Sequence, residues 1–584
     1  MTADRSDPSR TAGPVSMNRE LFGAFGGIDA FSRFADPDAF DVLVRGPSVT
    51  VGLRNPACEI DRRSAVHTCD RGACLLFGEV VAPDRVEDPA KWLFERYAEA
   101  GREALSALNG SYLCVVDVEG SAFVVTDPLR TWECFYLDAA GTRVFGTDVA
   151  RLGRLVETPR VDRTAALELL HVGTVFGERT LFESIDRVPH DSRLTPTGVD
   201  SLDRFVYDPA EFDYVGELAA RLGRAIERRQ GYPGRVGVLL SGGKDSRVFL
   251  SQLSDVDETY TVGARDSREV RVARRVAEQY GAGHTALEPD GDYLYPTDDK
   301  LLYAQGVKEA LHIHHAGYDD QIDADVMYHG LLFDTLFKGY FLERDGITVF
   351  GSKLPSKTPV SDPDVVGSLL DTLGFFPDMS ERMADAVDAL FDDLDIEVDL
   401  AVDSAREFLR DRLAAELDAC WERADSPHNA TDLLVVRNQP VIPFRAHLAD
   451  NYLESFVAMD ADLLEWHLRT PPRHRNADTF RRALDRLDDD ILRHRPPSEP
   501  HDSAYLNHAE RFVRRKLPLV EQFEPAWPNR QEVYARFRLD DRLFPDHAAV
   551  RDLTARQQLR VNDLCWWTEA VRDVPDAEQS DAQN

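Results

Sequence analysis

The sequence predicts two domains of different class: an α+β sandwich at the N-terminal end, and then an α/β domain with a parallel sheet and a helical C-terminal part. Short apolar runs broken by Gly, Asp and Pro fill residues 17–205 and are typical of strands. Near residue 207 the pattern changes to a helical segment and a short run that is apolar on both faces, as in a covered parallel sheet. Strand-like and helix-like segments then alternate, which indicates βαβ units.

The first domain is expected at 17–205. Its strands are predicted at 71–81, 111–118, 121–126 and 134–137. Residues 88–108 have the apolar spacing of an amphipathic helix. Residues 1–16 are polar and predict a disordered extension, because they offer too little apolar surface to fold.

The second domain is expected at 214–575. A helix is predicted at 214–229, a buried strand at 235–240 and a second strand at 258–263, with a helix after each strand. The rest of this domain has mainly helical periodicity, and residues 576–584 form a polar tail.

The chain has a formal net charge of −35, and its basic residues are nearly all arginine. Lysine occurs only at positions 91, 244, 300, 308, 338, 353, 357 and 516. An acidic surface repels polyanions, so we expect no nucleic acid and no anionic membrane as partner. The composition also resembles that of halophilic proteins, in which screening by salt makes a high density of like charge tolerable.

Cysteine usage and hydropathy indicate a cytoplasmic protein. The seven cysteines form no CxxC pairs, which favours reduced buried thiols over a zinc site or a disulfide framework. No run approaches 18 apolar residues, and the first residues do not have the pattern of a signal peptide.

The sequence SGGKDS at 241–246 follows the predicted strand 235–240 and predicts a phosphate-binding loop. Glycines let the backbone approach an anion, and unpaired N–H groups at the start of the next helix can bind it. Asp245 would repel phosphate by itself, which favours a bridging Mg²⁺. Lys244 could touch a phosphate or be a solvated lysine in the first helical turn. The alternative for the whole loop is a turn capped by Ser and Asp. The predicted phosphate-binding residues are Ser241, Gly242, Gly243, Lys244 and Ser246.

With this loop the sequence resembles the ATP-pyrophosphatase (PP-loop) superfamily, and the order of its domains resembles asparagine synthetase of the glutamine-hydrolysing type. LNGSY at 108–112, TDPLR at 126–130 and FGTD at 145–148 look like stretches of that family's Ntn-type amidotransferase domain. GLLFDTLFKGY at 330–340 looks like the synthetase stretch GEGSDELFGGY, and VIPF at 441–444 resembles its RxPFLD region.

The resemblance implies an AMP-forming ligase that uses ATP and Mg²⁺. Such an enzyme adenylates a small-molecule carboxylate, aspartate or a related acid, and transfers it to ammonia or another amine. Asp245 and Asp334 would hold the metal, and Val262 and Gly263 would lie beside the adenine. Because both aspartates follow buried strands, we expect them to meet at the carboxyl edge of one parallel sheet. For Asp334 the alternative is a helix cap.

The sequence departs from the family pattern at several positions. Phe22 stands where the amidotransferase has its N-terminal nucleophilic cysteine, and Phe77-Gly78-Glu79 replaces the glutamine-holding NGE, which predicts that glutaminase activity is lost. Leu331 replaces the first acidic residue of the synthetase loop. The family's lysine near KxxLR is also missing, and Arg475 could supply positive charge there instead, although it cannot shuttle protons.

The predicted function is therefore an asparagine synthase-like amide ligase with a degenerate N-terminal domain. Two alternatives stay open: a β-lactam-synthetase-like or peptide-cyclising ligase that uses an internal amine, and a catalytically silent scaffold that binds ATP. Whether Leu331 and the missing lysine abolish catalysis is not decided by the sequence. A homodimer is one candidate for the assembly.

The acidic composition predicts that folding needs molar salt. At 1 M salt the Debye length falls to roughly 3 Å, which shrinks the repulsion among surface carboxylates. We expect the thermal midpoint to rise steeply between dilute buffer and molar KCl. A cooperative melt that does not change over this range would contradict the prediction.

Overall fold

The computed structural model describes residues 16–83, 86–313, 315–349, 352–373, 380–438, 442–497, 499–501, 504–516 and 528–572. The polar tail at 576–584 and all of the predicted N-terminal extension except Ser16 lie outside the described residues. None of the described helices is long and apolar enough to cross a membrane.

The first domain is built on two antiparallel sheets, each with six strands among the described residues. The first sheet has the strand order β10-β8-β9-β1-β3-β2, and the second sheet has the order β12-β11-β7-β6-β5-β4. The strands are β1 (Glu20–Phe25), β2 (Val42–Arg45), β3 (Val49–Arg54), β4 (Ala65–Cys69), β5 (Gly72–Val80), β6 (Gly110–Val118), β7 (Ser121–Thr126), β8 (Phe135–Ala139), β9 (Thr142–Gly146), β10 (Asp186–Arg187), β11 (Ser192–Leu194) and β12 (Val199–Ser201).

The two sheets pack face to face and are covered by helices on their outer faces. Leu21 and Val51 of the first sheet share one core with Leu75 and Leu113 of the second sheet. The helices of this domain are α1 (Ile28–Phe31), α2 (Pro89–Ala100), α3 (Val149–Gly153) and α4 (Arg163–Val172). Helix α2 covers the second sheet, and α3 and α4 cover the first sheet, so the layers run helix, sheet, sheet, helix.

The second domain has a five-stranded sheet with the order β15-β14-β13-β16-β19, in which all neighbouring strands are parallel. Its strands are β13 (Val236–Leu239), β14 (Glu258–Val262), β15 (Gly283–Leu287), β16 (Val326–Tyr328) and β19 (Leu453–Ser455), and a separate hairpin is formed by β17 (Arg344–Val349) and β18 (Ser352–Pro359). Strand β13 lies at the centre of the parallel sheet, and the SGGKDS loop follows it directly.

Helices make up most of the remaining chain. They are α5 (Tyr214–Glu227), α6 (Arg247–Gln252), α7 (Arg268–Tyr280), α8 (Asp298–Ala304), α9 (Phe333–Lys338), α10 (Val365–Thr372), α11 (Ser380–Asp393), α12 (Ala405–Asp418), α13 (Pro427–Arg437), α14 (Ile442–Asn451), α15 (Ala461–Arg469), α16 (Ala477–Leu487), α17 (Ala504–Lys516), α18 (Arg530–Arg536), α19 (Leu539–Leu543), α20 (Ala548–Arg551) and α21 (Ala555–Arg572).

The predicted fold class is confirmed, and the strands lie within about two residues of their predicted positions. The helix predicted at 88–108 is shorter, because α2 ends at Ala100, where Gly101 takes a positive φ of 60° and a 3₁₀ segment continues to Ala107. One C-terminal helix packs against the first domain, although it belongs to the second domain in sequence. Val561 and Trp567 of α21 pack in the same core as Leu167 of α4, on the outer face of the first sheet.

Buried polar contacts join the two domains. Glu79 of β5 is buried and accepts hydrogen bonds from Arg229, Tyr232 and Ser455 of the second domain at 2.7–3.2 Å. Arg229 also pairs with Asp460, at 2.5 Å. The glutamate that the sequence places in the family's glutamine-binding motif therefore contacts the other domain.

Arg445 of α14 makes a second cross-domain contact. Its guanidinium donates to the Thr131 carbonyl at 2.9 Å and to the Ser111 hydroxyl at 2.8 Å, and it lies 4.3 Å from the centre of the Trp132 ring. It also pairs with Glu454 at 3.2 Å. Burial would raise the pKa of Glu454, but Arg445 and His329 lower it to about 2.

Removing Glu79 should weaken the joint between the domains. We expect Glu79→Ala to lower the free energy of unfolding by about 3–5 kcal/mol, because a buried ion pair loses one partner. The measurement is urea unfolding of the intact chain, followed by fluorescence.

The matched control is Glu119→Ala. Glu119 pairs with Arg71 at 3.1 Å, but both side chains are more than half exposed, and exposed pairs add little stability. Equal unfolding midpoints for the two variants would contradict a structural role for the Glu79 contact.

Candidate active site

Three loops meet at the carboxyl edge of the parallel sheet. The SGGKDS loop follows the central strand β13, Gly263 follows β14, and Gly330 lies in the loop after β16. A Cβ atom at Gly330 would lie only 3.0 Å from the Cβ of Asp245, so glycine lets these two loops approach closely. Open parallel sheets place their ligands at this edge.

The phosphate loop has unpaired N–H groups at its end. The Gly242 N–H donates to Glu269 at 2.7 Å, and the Gly243 N–H donates to the Ser241 hydroxyl at 3.1 Å. The N–H groups of residues 244–246 have no acceptor within the described part of the chain. These N–H groups are therefore able to bind an anion.

Asp245 and Asp334 meet across a lysine. The Lys338 ammonium contacts both carboxylate oxygens of Asp245, at 2.7 and 2.8 Å, and it also pairs with Asp334 one helical turn earlier on α9. The Asp334 side chain is 56% exposed, whereas Asp245 is 19% exposed, so the pair opens to solvent on the side of Asp334. The structure thus brings the two aspartates together as the sequence predicted, with an ammonium group between them.

The charges of Lys338, Asp245 and Asp334 lie close enough to shift the pKa values of Lys338 and Asp245. Burial alone would lower the pKa of Lys338, but the two aspartates raise it above its usual range. Burial raises the pKa of Asp245, with Asp334 adding to the effect and Lys338 opposing it. Two adjacent carboxylates therefore need a cation, and Lys338 supplies it.

Lys244 lies in an ion pair. Its ammonium lies 2.5 Å from Glu499, and the side chain is mostly buried, so it is not the solvated lysine of the sequence alternative. Although burial opposes the change, Lys244 lowers the pKa of Glu499, with smaller contributions from Arg511 and Lys338. Contact between Lys244 and a phosphate would require Glu499 to give way.

Arg247 fixes the phosphate loop against a distant segment. Its guanidinium donates to the carbonyls of Gly242 and Gly243 and to those of Ile491 and His494. Burial lowers the pKa of Arg247 to about 10, which still leaves it charged near neutral pH. The backbone of the loop is therefore held in place without a ligand.

The predicted adenine-side residues lie on the neighbouring strand. Val262 ends β14, and the Gly263 N–H donates to the carbonyl of Leu287 on β15 at 2.9 Å. Both residues are at the same sheet edge as the SGGKDS loop, and their contact with an adenine stays a prediction.

Arg475 is placed differently from the prediction. Its guanidinium is fully buried, pairs with Asp432 at 3.0 Å and lies 5.4 Å from the centre of the Tyr207 ring. The desolvated carboxylate of Asp432 holds it, so it faces the helical core and not the phosphate loop. We therefore do not include Arg475 among the substrate-binding residues.

The cap alternative for Asp334 is wrong. Helix α9 begins at Phe333, its N-cap is Leu332, and no side chain caps it. Asp334 is therefore inside the first helical turn, and its carboxylate pairs with Lys338.

The carboxylates fit a Mg²⁺ ion that arrives with a nucleotide. Within the described residues, no three His, Cys, Asp or Glu side chains converge on one metal position. Mg²⁺ is commonly held by one or two carboxylates together with substrate phosphates, and Asp245 and Asp334 are two carboxylates close enough to share one ammonium.

Phe22 and its neighbours fill the position at which the related family has its cysteine. Phe22 lies inside β1, paired with Gly52 on one side and Gly146 on the other, so it has no free amino group. Its buried ring packs against Phe31 and Phe40 in the outer helical layer. A phenyl ring therefore occupies this point of the first domain, and it cannot act as a nucleophile.

Three further residues lie at this site that the sequence patterns did not identify: Lys338, Glu269 and Glu499. Lys338 follows Asp334 by four positions in a segment of helical spacing, which is a signal that could have identified it. Glu269 and Glu499 are distant from the loop in sequence, and only the folded chain brings them to it.

Comparison with known families agrees with this geometry. Residues 217–439 match the asparagine synthase family model. This part of the chain is similar to an asparagine synthase domain. The match includes the phosphate loop, both aspartates and Lys338, which confirms the family resemblance seen in the sequence. No curated protein sequence matches the chain.

Two solved structures similar to the chain are amidotransferase-related. One is glutamine phosphoribosylpyrophosphate amidotransferase from B. subtilis complexed with ADP and GMP, with 11% identity, coverage of 46% of this chain and 59% of that one, and a TM-score of 0.20. The other is an allosteric regulatory enzyme of purine biosynthesis, with 12% identity, coverage of 55% and 75%, and a TM-score of 0.20. The chain thus spans about three fifths of the first structure.

Removing the charge of Asp245 or Asp334 should slow the predicted adenylation reaction more than it lowers the stability of the fold. We expect Asp245→Asn and Asp334→Asn each to reduce AMP formation by about 10²-fold or more, because leaving pyrophosphate would lose the carboxylates that hold its counter-charge. AMP release and the thermal midpoint are measured together.

The control for this pair is Asp255→Asn, an exposed aspartate of the same domain. Normal AMP formation by Asp334→Asn, together with a lowered thermal midpoint, would refute the metal-binding assignment.

Proposed function

We propose that the protein is an ATP-dependent, AMP-forming amide ligase that joins a small-molecule carboxylate to ammonia or another amine. The observation that carries the proposal is that Asp334 lies close to Asp245 of the SGGKDS loop, with Lys338 in contact with both. The match of this region to the asparagine synthase family supports it.

The residues at the site suit each part of this reaction. The free N–H groups at residues 244–246 can hold phosphate oxygens, as can the hydroxyls of Ser241 and Ser246. Asp245 and Asp334 would hold Mg²⁺, which neutralises charge on the phosphates. A carboxylate oxygen of the substrate attacks the α-phosphorus and releases pyrophosphate, and the amine then displaces AMP from the acyl carbon.

The nitrogen should come from free ammonia or an amine. Phe22 fills the position of the glutaminase nucleophile, and Glu79 contacts Arg229 and Tyr232 of the second domain. Neither residue is available for glutamine hydrolysis, so the first domain has a structural role in this proposal.

The test uses ATP, Mg²⁺, ammonium and a panel of carboxylic acids that starts with aspartate. We expect AMP and pyrophosphate as products. With an ¹⁸O-labelled carboxylate, one ¹⁸O atom should pass to AMP, because the attacking oxygen stays on phosphorus. Asp245→Asn gives the background rate.

A second arm replaces ammonium by glutamine, and we expect no amide and no release of glutamate. Formation of ADP, or AMP without ¹⁸O, would contradict adenylation of the carboxylate. ATP binding without turnover on any acid of the panel would favour the scaffold function.

A further inference from the structure

Lys338 places its ammonium group where the substrate phosphates and their metal are expected. It touches Asp245 from the loop after β13 and Asp334 from the loop and helix after β16. These are the two side chains that would hold the metal, so a metal–phosphate group bound to them lies within reach of the same ammonium.

The backbone of Lys338 is fixed independently of the aspartates. Helix α9 ends at Lys338, and Gly339 closes it in the left-handed region at a φ of 56°. Arg344 donates to the carbonyls of Lys338, Gly339 and Arg475 at 2.8–3.5 Å. Movement of Lys338 is therefore confined to its flexible side chain.

An aromatic wall supports that side chain. The Lys338 ammonium lies 5.6 Å from the centre of the Phe480 ring, which is fully buried and stacked on Phe337. The ring blocks movement of the ammonium toward Phe480, whereas the cluster is open to solvent on the side of Asp334.

A divalent cation and the ammonium cannot share the aspartates without strong repulsion. When a nucleotide brings Mg²⁺ to Asp245 and Asp334, the ammonium has to leave the space between them. The nearest new anions are the oxygens of the phosphate groups that the metal holds. A lysine ammonium is a compact point charge that suits this contact, whereas an arginine fork favours planar bidentate partners.

We propose that Lys338 is a substrate-binding residue that contacts a phosphate oxygen of the nucleotide and that neutralises Asp245 and Asp334 until the nucleotide arrives with its metal. The inference rests on the proposed function. Lys91 offers a control, because it is a lysine of the first domain whose side chain is 54% exposed and which pairs with Glu95 on its own helix.

The first measurement is Mn²⁺ binding without nucleotide, followed by electron paramagnetic resonance. Lys338→Gln frees two carboxylates from their internal cation, so it should bind Mn²⁺ about tenfold more tightly than the unmodified protein. Lys91→Gln should leave Mn²⁺ affinity unchanged. Lys338→Arg keeps the charge and should keep Mn²⁺ binding weak.

The second measurement is calorimetric binding of inorganic pyrophosphate at saturating Mg²⁺. Lys338→Gln should bind pyrophosphate about tenfold more weakly, since one charged phosphate contact is lost. Mn²⁺ and pyrophosphate affinities thus change in opposite directions, whereas a simple loss of structure would weaken both. Thermal midpoints of all variants are measured alongside.

Equal Mn²⁺ affinity in Lys338→Gln and the unmodified protein would overturn the inference, as would unchanged pyrophosphate affinity or tight Mn²⁺ binding by Lys338→Arg. Weakening of both affinities in Lys338→Gln would also overturn it. Failure of the unmodified protein to bind pyrophosphate or ATP at all would instead contradict the proposed function.

Discussion

Buried charged side chains join the two domains, and partners from across the junction match the Glu79 carboxylate and the Arg445 guanidinium. Burying an unpaired charge costs several kcal/mol, so such a carboxylate is tolerated only where partners surround it. Glu79 meets Arg229, Tyr232 and Ser455 of the second domain, and Arg445 reaches into the first domain to donate to Ser111. These contacts fix how the two sheets of the first domain lie against the parallel sheet.

The same rule governs the candidate active site. Asp245 and Asp334 are held at a sheet edge where two like charges would repel, and the compact ammonium of Lys338 relieves the repulsion. The difference from the domain junction is solvent access. Glu79 is buried, so its partners are held in place. Asp334 is exposed to solvent, so a divalent cation can replace the Lys338 ammonium.

Much of this arrangement could be predicted from the sequence, because local patterns fix strands and the turns that follow them. The apolar run before SGGKDS predicted β13, and the run before Asp334 predicted β16, so the meeting of Asp245 and Asp334 followed from the parallel topology alone. The resemblance to the asparagine synthetase family then indicated the type of reaction. Phe22 also predicted the loss of the nucleophile, and the structure shows its ring packed in an apolar layer.

Long-range pairing could not be predicted in this way. Arg475 looked available for phosphate because it lies in the region that corresponds to the family's KxxLR stretch, but Asp432, more than 40 positions earlier in the chain, draws its guanidinium into the helical core. Glu499 and Glu269 approach the phosphate loop only after folding. Helix α21 likewise belongs to the second half of the chain by sequence, yet its apolar side covers the first sheet.

The first domain is in physical contact with the loop that carries Asp334 through one buried chain of polar groups. Ser111 accepts from Arg445, and Arg445 pairs with Glu454 at the end of the parallel sheet. His329 lies 2.8 Å from Glu454, and its other ring nitrogen is 3.4 Å from the N–H of Leu331. Both contacts fit one tautomer, in which Nε2–H donates to Glu454 and Nδ1 accepts from Leu331. Leu331 begins the turn that carries Asp334. The first domain thus forms the wall against which the loop that carries Asp334 is held, which gives a physical reason for its presence.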